Sequence, residues 1–414
     1  MFSYTNLRFQ KSTLLYDWII PSIIVLMWGG LLWSRALLSI SFILFVVLSV
    51  VFEGKTSIKL IKESFWLKTM LALVLVYALS GFWSEDKAQW VKTVQVKLPL
   101  LFMPFTLGIL VKISKETCNK LLYVFAGLVV ISTGWSYIFY FFTENITLTY
   151  LQAKVLPVPM YDDHVRFSWL VVVLFAMILD RIFKKSVIQE RWILAGLLVY
   201  LIVYLHVLAA KTGVLGLYIV SAIFLWKQVS GKLRLYGLMI LLMLPVVSWF
   251  LLPSFQSRLR FILWDFQNYS RGNYTEGLSD APRILSFQAG AAIVKSNFLN
   301  GVGSGDVLQE TIEWYKIHAP FLKPYEQLLP CNQILMFVCS GGVLMGLIAL
   351  VFFLSPFWIK ILKNNYLWVS FHVVALFGFM YEIGLEVQNG VFIYIFFGIY
   401  IYASDINKKT YKSL

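Results

Sequence analysis

RALLSISFILFVVLSVVF, the segment from Arg35 to Phe52, is a continuous apolar run whose one charged residue stands at its start. As a helix it is about 27 Å long, close to the ~30 Å hydrocarbon core of a bilayer. Lipid offers the backbone no hydrogen-bond partners, so such a run is expected to cross the membrane as a helix. Runs of this kind recur along the chain and predict about twelve spans. We place them at roughly 17–34, 35–52, 66–84, 97–113, 118–142, 166–182, 192–208, 211–228, 235–253, 331–356, 366–382 and 390–404.

The composition of the whole chain agrees with this interpretation. Hydrophobic residues make up 59% of the 414 residues and charged residues 14%, whereas about a quarter of the residues in a soluble domain are charged. A water-soluble fold of this size could not bury so much apolar surface, so lipid must surround much of it. We therefore predict an all-α fold, a polytopic transmembrane helical bundle in which residues 1–414 form a single membrane domain. The first apolar run has no small-residue cleavage site and is expected to be retained.

The positive charge of the chain, +14 at neutral pH, lies in short clusters between the apolar runs. One side of the predicted bundle holds most of these cations, including Arg8 and Lys11 before the first span and Lys408, Lys409 and Lys412 after the last. This is the positive-inside pattern of membrane proteins rather than a nucleic-acid-binding surface. We therefore expect no nucleic-acid partner and place both termini in the cytoplasm.

One connection is much longer than the others: residues 254–330 join the ninth and tenth predicted spans as a large periplasmic loop. Long ordered loops usually have a function. Within the loop we predict a helix that Pro282 opens and that ends near Phe298. GVGSGD, Gly301 to Asp306, follows this helix rather than a strand, so we interpret it as a flexible turn and not as a dinucleotide loop. Apolar residues at helical spacing predict that the helix is amphipathic and lies against the bundle. They are Phe287, Ala291, Val294 and Phe298.

Several ionisable residues fall at the predicted membrane edges. YDDHVRFSW, Tyr161 to Trp169, has four ionisable groups where an outer loop enters the sixth span, among them His164 and Arg166. A cation at that depth needs a partner, and an anionic lipid head group would supply one to Arg166; an ordinary interfacial cluster is the alternative. AAKTG, Ala209 to Gly213, puts Lys211 between two spans, either as a snorkelling lysine or as a cation lining a polar cavity.

Two carboxylates lie between the last two spans. Glu382 and Glu386 belong to MYEIGLEVQNGV, Met380 to Val391, and would share a face if this segment were helical. They would then be counter-charges to the cations, or else part of a solvated loop. His206 and His372 lie inside apolar runs and are expected to be packing residues. No histidine pair has metal-ligand spacing, so we expect no metal.

In their order and spacing, these pieces resemble the O-antigen ligase and O-antigen polymerase superfamily, over about residues 160–400. Four segments carry the resemblance. The first is a helix break with small residues around a cation, Ala209 to Thr212, and the second is the loop helix opened by Arg283 with its glycine-rich end, Asn300 to Gly305. The third is CNQIL, Cys331 to Leu335, which is similar to a His-Asn motif and is followed by SGGVLMG, Ser340 to Gly346, and the fourth is LEVQNGVFIYIFF, Leu385 to Phe397.

The resemblance implies an activity. Members of the superfamily transfer a glycan from undecaprenyl pyrophosphate at the outer face of the bacterial inner membrane, without a metal or other cofactor. The acceptor is lipid A core for a ligase and another lipid-linked glycan for a polymerase. Outer-face arginines hold the pyrophosphate, so Arg166, Lys211 and Arg283 are expected to converge on one cavity. The residues expected to support them are His164, Glu382 and Glu386.

Two positions depart from the superfamily pattern. The cation at the helix break is Lys211 instead of Arg, which keeps the charge but loses bidentate contact with phosphate. Cys331 stands where ligases have the histidine base, and a thiol with an ordinary pKa near 8.5 is a poor substitute. Either the helix N-terminus and nearby cations activate Cys331, with Asn332 orienting the acceptor, or His318 or His164 supplies the base. In the second interpretation Cys331 is only a small residue at a helix start.

Two other functions stay open, a transporter or flippase of lipid-linked glycan and an inactive scaffold in the same pathway. The long one-sided loop favours an enzyme. The sequence also lacks the internal repeat that many transporters have.

Overall fold

The computed structural model describes residues 14–144, 156–184, 187–360 and 362–410, and these residues form helices joined by turns, with no strand among them. The terminal cations Arg8, Lys11 and Lys412, on which the predicted orientation partly rests, lie outside the described residues. The all-helical class predicted from hydropathy is confirmed.

Sixteen α-helices occur in the described part of the chain. They are α1 Ile20–Trp33, α2 Arg35–Glu63, α3 Phe65–Leu79, α4 Lys87–Phe102, α5 Leu107–Lys112, α6 Lys115–Phe142, α7 His164–Phe183, α8 Ile188–Leu208, α9 Lys211–Gln228, α10 Gly231–Leu251, α11 Pro253–Ser270, α12 Ala281–Ser296, α13 Val307–His318, α14 Gln333–Leu354, α15 Tyr366–Phe379 and α16 Gln388–Thr410.

Nine helical segments in the described ranges are long and apolar enough to cross a bilayer, so the chain is a multi-pass membrane protein. They are Leu15–Trp33, Arg35–Glu63, Phe65–Phe82, Lys87–Lys112, Lys115–Phe142, Ile188–Leu208, Gly231–Leu251, Gln333–Trp358 and Gln388–Asn407. The other three predicted spans are also helices, α7, α9 and α15, but they fall short by length or composition. For example, α7 carries Arg166, Asp180 and Arg181, and α15 has 14 residues.

The last helix, α16, lies at the centre of the bundle. A larger share of it is buried than of any other candidate span described, and it packs against α4, α5, α7 and α15. Its buried residues include an uninterrupted series from Val391 to Ile399, which explains why this helix is apolar on all sides. At the periphery, α10 exposes most of its side chains, as expected of a helix that faces lipid.

A break in α14 fixes the glycine-rich segment that follows α12. Gly342 has φ +69°, which interrupts the helix, and the carbonyls exposed there accept hydrogen bonds from the neighbouring segment. Val302 N–H donates to the Cys339 carbonyl at 2.8 Å and Gly303 N–H to that of Ser340 at 3.0 Å. Asp306 accepts from two further backbone N–H groups, at 2.7 and 2.8 Å. The prediction of a flexible turn at 301–306 is therefore wrong, because this segment completes the hydrogen bonds of a broken helix.

The long connection 254–330 is mostly helical, since it contains nearly all of α11 and the whole of α12 and α13. The predicted loop helix is present as α12, but it ends at Ser296 and buries a different face from the one expected. Its buried residues include Leu285, Ala289 and Ile293, whereas Phe298 is 53% exposed. The expected face was wrong because α12 packs against both α13 and α14.

Candidate functional site

A cavity of about 220 Å³ lies where the starts of α7, α9 and α12 meet α11 and the end of α15. Its lining combines apolar residues with charged ones. The charged or titratable lining residues are His164, Lys211, Arg258, Asp280, Arg283, Tyr381 and Glu382. A smaller cavity shares Glu382 and Thr212 with it and is lined by Arg166.

Local helix ends put two of these cations in place. Asp163 caps the start of α7 by accepting from the backbone N–H of Arg166 at 3.1 Å, which places Arg166 in the first turn. The end of α8 is a left-handed residue, Ala209 with φ 50°, and α9 begins two residues later at Lys211. Lys211 therefore stands at a helix start, next to the gap between the two helices.

Hydrogen bonds to a residue of α11 fix the start of α12. The Asp265 carboxylate is fully buried and accepts from the backbone N–H groups of Ser279 at 2.7 Å and Asp280 at 2.8 Å. It thus satisfies donors that a helix N-terminus leaves without an internal partner. This fixes the first turn of α12, which carries Arg283 into the cavity.

Glu382 joins two of the predicted pyrophosphate ligands. Arg283 Nη2 donates to its Oε1 at 2.6 Å, and Arg166 Nη2 lies 3.7 Å from its Oε2. Arg166 also lies 3.5 Å from Asp163. Arg166 and Arg283, from distant parts of the chain, therefore meet at a single carboxylate that is itself 12% exposed.

The third predicted cation is linked to the same place by a second carboxylate. Lys211 Nζ lies 2.5 Å from both oxygens of Asp280, which precedes α12 and is three positions from Arg283 in sequence. The structure thus brings Arg166, Lys211 and Arg283 together, each with a carboxylate partner.

A further cation lines the cavity, one that the sequence analysis did not single out. Arg258 is 8% exposed, belongs to α11, and stands over the ring of Phe261 at 5.4 Å. It was missed because α11 lies in the segment interpreted as loop. Pro253 at the first position of that helix was the available signal, since proline favours helix starts.

Cys331 and Asn332 lie beside the cavity, at the start of α14. The Asn332 side chain caps α14 by accepting from Leu335 N–H at 2.9 Å, and its amide donates to the Met380 carbonyl at 3.0 Å. Cys331 is 5% exposed, and its N–H donates to Ser286 Oγ at 3.0 Å. Burial raises the pKa of the Cys331 thiol above its ordinary value, although a hydrogen bond with Ser286 and the charge of Arg283 act in the opposite direction. Burial therefore disfavours the thiolate form of Cys331.

The remaining predicted residues separate into different places. His164 lines the cavity. His318 is exposed at the end of α13, where it stacks on Trp314 with ring centroids 4.7 Å apart, away from the cavity lining. Glu386 pairs with Lys97 at 2.6 Å and not with the cavity cations. Glu382 and Glu386 lie in a turn and a short 3₁₀ segment, so they do not share a helix face.

The two histidines inside the apolar helices are packing residues. His206 hydrogen-bonds to the Ile202 carbonyl and to the Tyr218 hydroxyl, both at 2.8 Å. His372 is surrounded by aromatic rings, among them Trp368 at 4.1 Å. Across the described ranges, no group of three or more His, Cys, Asp or Glu side chains is arranged to hold a metal ion.

A scan against protein-family models and a search of curated proteins found no match. Function therefore has to be inferred from the cavity. Its guanidinium and ammonium groups come from separate helices, and carboxylates fix those of Lys211 and Arg283. Such an arrangement suits an anion with several oxygens, because arginine forks match phosphate geometry and a low dielectric strengthens each contact.

Proposed function

We propose that the chain is a metal-independent membrane glycosyltransferase of the O-antigen ligase or polymerase type. It transfers a glycan from undecaprenyl pyrophosphate to lipid A core or to a second lipid-linked glycan, at the periplasmic face of the bacterial inner membrane. The observation that carries the proposal is the cluster of Lys211, Arg258 and Arg283 in one cavity, with Arg166 joined to it through Glu382.

The chemistry of the reaction needs such a cluster. Negative charge grows on the pyrophosphate as the bond to the sugar breaks, and cations placed beforehand stabilise that charge without reorganising. Asp280 and Glu382 hold Lys211 and Arg283 in position. Pyrophosphate oxygens would take over these contacts, and a carboxylate released in this way stays close enough to orient the acceptor hydroxyl.

The acceptor hydroxyl must lose a proton as it attacks the sugar. His164 is the histidine that lines the cavity, so we assign the role of general base to it rather than to His318 or Cys331. Asn332 caps α14 beside the cavity and has its amide on the Met380 carbonyl; its role is to hold the wall against which the acceptor lies.

The proposal includes a topology. The three helices α7, α9 and α15 cross the bilayer together with the nine candidate spans, which gives about twelve spans with both termini in the cytoplasm. Residues 254–330 are then periplasmic, and the cavity opens at the outer edge of the membrane. A donor whose lipid chain stays in the bilayer reaches such a cavity from the side.

Deleting the gene and examining surface polysaccharide tests the proposal against its alternatives. Loss of core-attached glycan indicates a ligase, and single repeat units in place of chains indicate a polymerase. Lipid-linked units that accumulate facing the cytoplasm indicate a flippase and contradict the proposal. Restoring the gene with Arg283→Ala then separates a catalyst from a scaffold, because only a scaffold functions without the cavity arginine.

A further inference from the structure

Lys97 is a lysine almost completely buried within the membrane domain. It lies in the apolar part of α4, and its side chain is 1% exposed. An ionisable side chain at membrane depth is costly and usually has a function and a defined partner. Neither the pyrophosphate cavity nor the motifs of the sequence account for it.

The partner of Lys97 is Glu386. Lys97 Nζ lies 2.6 Å from Glu386 Oε2 and 4.0 Å from the centroid of the Tyr77 ring. The other carboxylate oxygen, Oε1, accepts from Gln333 Nε2 at 3.0 Å. Both carboxylate oxygens of Glu386 therefore have partners, which fixes the orientation of the carboxylate as well as its position.

Gln333 connects this ion pair to the wall of the cavity. Its side-chain oxygen accepts from the backbone N–H of Leu385 at 2.8 Å, and the residue before it, Asn332, donates to the Met380 carbonyl at 3.0 Å. The turn 380–386 is thus anchored at both ends. Glu382, which pairs with Arg166 and Arg283, lies between the two anchors.

We propose that Lys97 and Glu386 are positioning residues for the cation cavity. Their ion pair holds the turn 380–386 in the place where Glu382 faces both arginines. The proposal rests on the proposed function in one respect, that the cavity binds pyrophosphate. Neither residue lines the cavity, so both act through Glu382.

A charged pair suits this task better than an apolar contact would. Apolar packing fixes how deeply a turn is buried but allows the turn to rotate. An ion pair with additional hydrogen bonds has one favourable geometry. Removing one partner alone would leave an uncompensated buried charge, which is strongly destabilising. The neutral double variant Lys97→Met/Glu386→Gln removes both charges. It therefore tests whether the pair positions the turn 380–386 without leaving an uncompensated buried charge.

The chain offers a matched control. Glu53, which is 6% exposed, pairs with Lys112 and accepts from the Tyr16 hydroxyl at 2.5 Å. This group has the same residue types as Lys97, Glu386 and Tyr77, although the Lys112 side chain is 47% exposed. Its hydrogen bonds and ion pair join α2 to Tyr16 and Lys112, away from the turn 380–386. Glu53→Gln therefore breaks a similar pair without moving Glu382.

The experiment uses purified protein in lipid nanodiscs and two readouts. One is the affinity for inorganic pyrophosphate by calorimetry, and the other is the alkylation rate of Cys331, measured by peptide mass spectrometry with the buried Cys339 as internal reference. The double variant should bind pyrophosphate about tenfold more weakly, the scale of one lost charge-assisted contact. Alkylation of Cys331 should become faster, because Asn332 and Gln333 would no longer fix the turn 380–386 in place. Glu53→Gln should lower the melting temperature and leave both readouts unchanged.

Two results separate this inference from the proposed function. If the double variant keeps wild-type pyrophosphate affinity and wild-type Cys331 alkylation, the positioning role is wrong. If Arg283→Ala binds pyrophosphate as tightly as wild type, the cavity assignment is wrong instead, and the Cys331 rate alone then decides whether Lys97 and Glu386 hold the turn. Lys97→Met alone is expected to be the least stable variant. If this single variant does not fold, the double variant still allows the test.

Discussion

Arg283 donates from Nη2 to Oε1 of Glu382 at 2.6 Å, across 99 positions of the chain. This contact links α12, in the long connection, to the turn between α15 and α16. The second oxygen of Glu382 faces another guanidinium, that of Arg166. A single carboxylate therefore lies between two forked donors of the kind that can also bind phosphate oxygens.

Arg283→Ala should abolish glycan transfer while the protein still inserts into the membrane. Removing one preorganised donor at a developing charge costs roughly a hundredfold or more in rate. The measurement is transfer from an undecaprenyl-pyrophosphate-linked donor by purified protein. Lys295→Ala is the matched control, since Lys295 is exposed on the same helix. Full activity in Arg283→Ala would show that pyrophosphate binds elsewhere.

Lys211→Arg should be tolerated or should strengthen donor binding. Lys211 holds Asp280 through a point charge, and arginine keeps that charge while adding a second donor for bidentate contact. Lys211→Ala should instead raise the KM for the donor about tenfold or more, the scale of one charge-assisted contact. A Lys211→Arg enzyme as poor as Lys211→Ala would mean that the cavity requires the shape of lysine rather than its charge.

Reporter fusions test the proposed topology. A fusion near Gly305 should report from outside the cytoplasm and one after Lys409 from inside, because most cations lie on the side assigned to the cytoplasm. Protease protection in spheroplasts gives an independent measurement. If both reporters are found on the same side, the topology of about twelve spans fails, and with it the periplasmic cavity.

The helix break at Gly342 gives a stability prediction. Its φ of +69° and ψ of −168° belong to a region that essentially only glycine adopts. An added Cβ would also lie 1.9 Å from the Leu299 carbonyl oxygen. Gly342→Ala should therefore lower the free energy of unfolding by at least about 1–3 kcal/mol. Gly134→Ala, where a Cβ meets no atom within 4 Å, is the control, and equal melting temperatures of the two variants in detergent would contradict this account.

Local sequence predicted much of the fold, because an apolar run of the right length specifies a helix without reference to the rest of the chain. It failed where a helix depends on tertiary contacts. The helix α11 was missed, since its polar residue Asp265 is satisfied by backbone N–H groups at the start of α12, which are distant in sequence. The break at Gly342 was missed as well, because the hydrogen bonds made by the broken helix come from the segment around Val302, which is distant in sequence.

The candidate site also divides into features that local sequence predicts and features that depend on tertiary contacts. Arg166 and Lys211 could be singled out because cations at membrane edges are conspicuous among apolar residues, whereas Arg283, in the long connection, was singled out by the resemblance alone. Their carboxylate partners were predicted only in part. Glu382 was considered as a counter-charge to the cations, and the structure pairs it with Arg166 and Arg283. Asp280, the partner of Lys211, was not singled out. Glu386 was grouped with Glu382 from their spacing, whereas the structure pairs it with Lys97. Pairing across the bundle depends on which helices pack together, and hydropathy carries no information about that.

The identity of the general base gives the last prediction. If the chain is a ligase of the proposed type, Cys331 occupies the position of the histidine base, but burial raises the pKa of its thiol. A raised pKa lowers the fraction of thiolate at neutral pH, so the thiol cannot accept a proton there. Cys331→Ala and Cys331→Ser should therefore keep activity within a few-fold of wild type.

His164 should behave differently from both other candidates. It lines the cavity with Arg283 and Lys211, whereas His318 is exposed and stacks on Trp314. His164→Ala should cost roughly a hundredfold, the usual effect of losing a general base, and His318→Ala should be close to wild type. Each variant is assayed for transfer to the native acceptor, and pyrophosphate affinity is measured in parallel. A base variant loses rate and keeps affinity, which distinguishes it from Arg283→Ala.

Two outcomes would overturn this assignment. A hundredfold loss in both cysteine variants, with full activity in His164→Ala, would make the Cys331 thiolate the base in spite of its burial. Full activity in the His164, His318 and Cys331 variants alike would leave the cavity without a base among these residues. In that case Asp280 and Glu382 are the next groups to replace, and if they are also dispensable, a carrier or scaffold function accounts for the protein better than transfer.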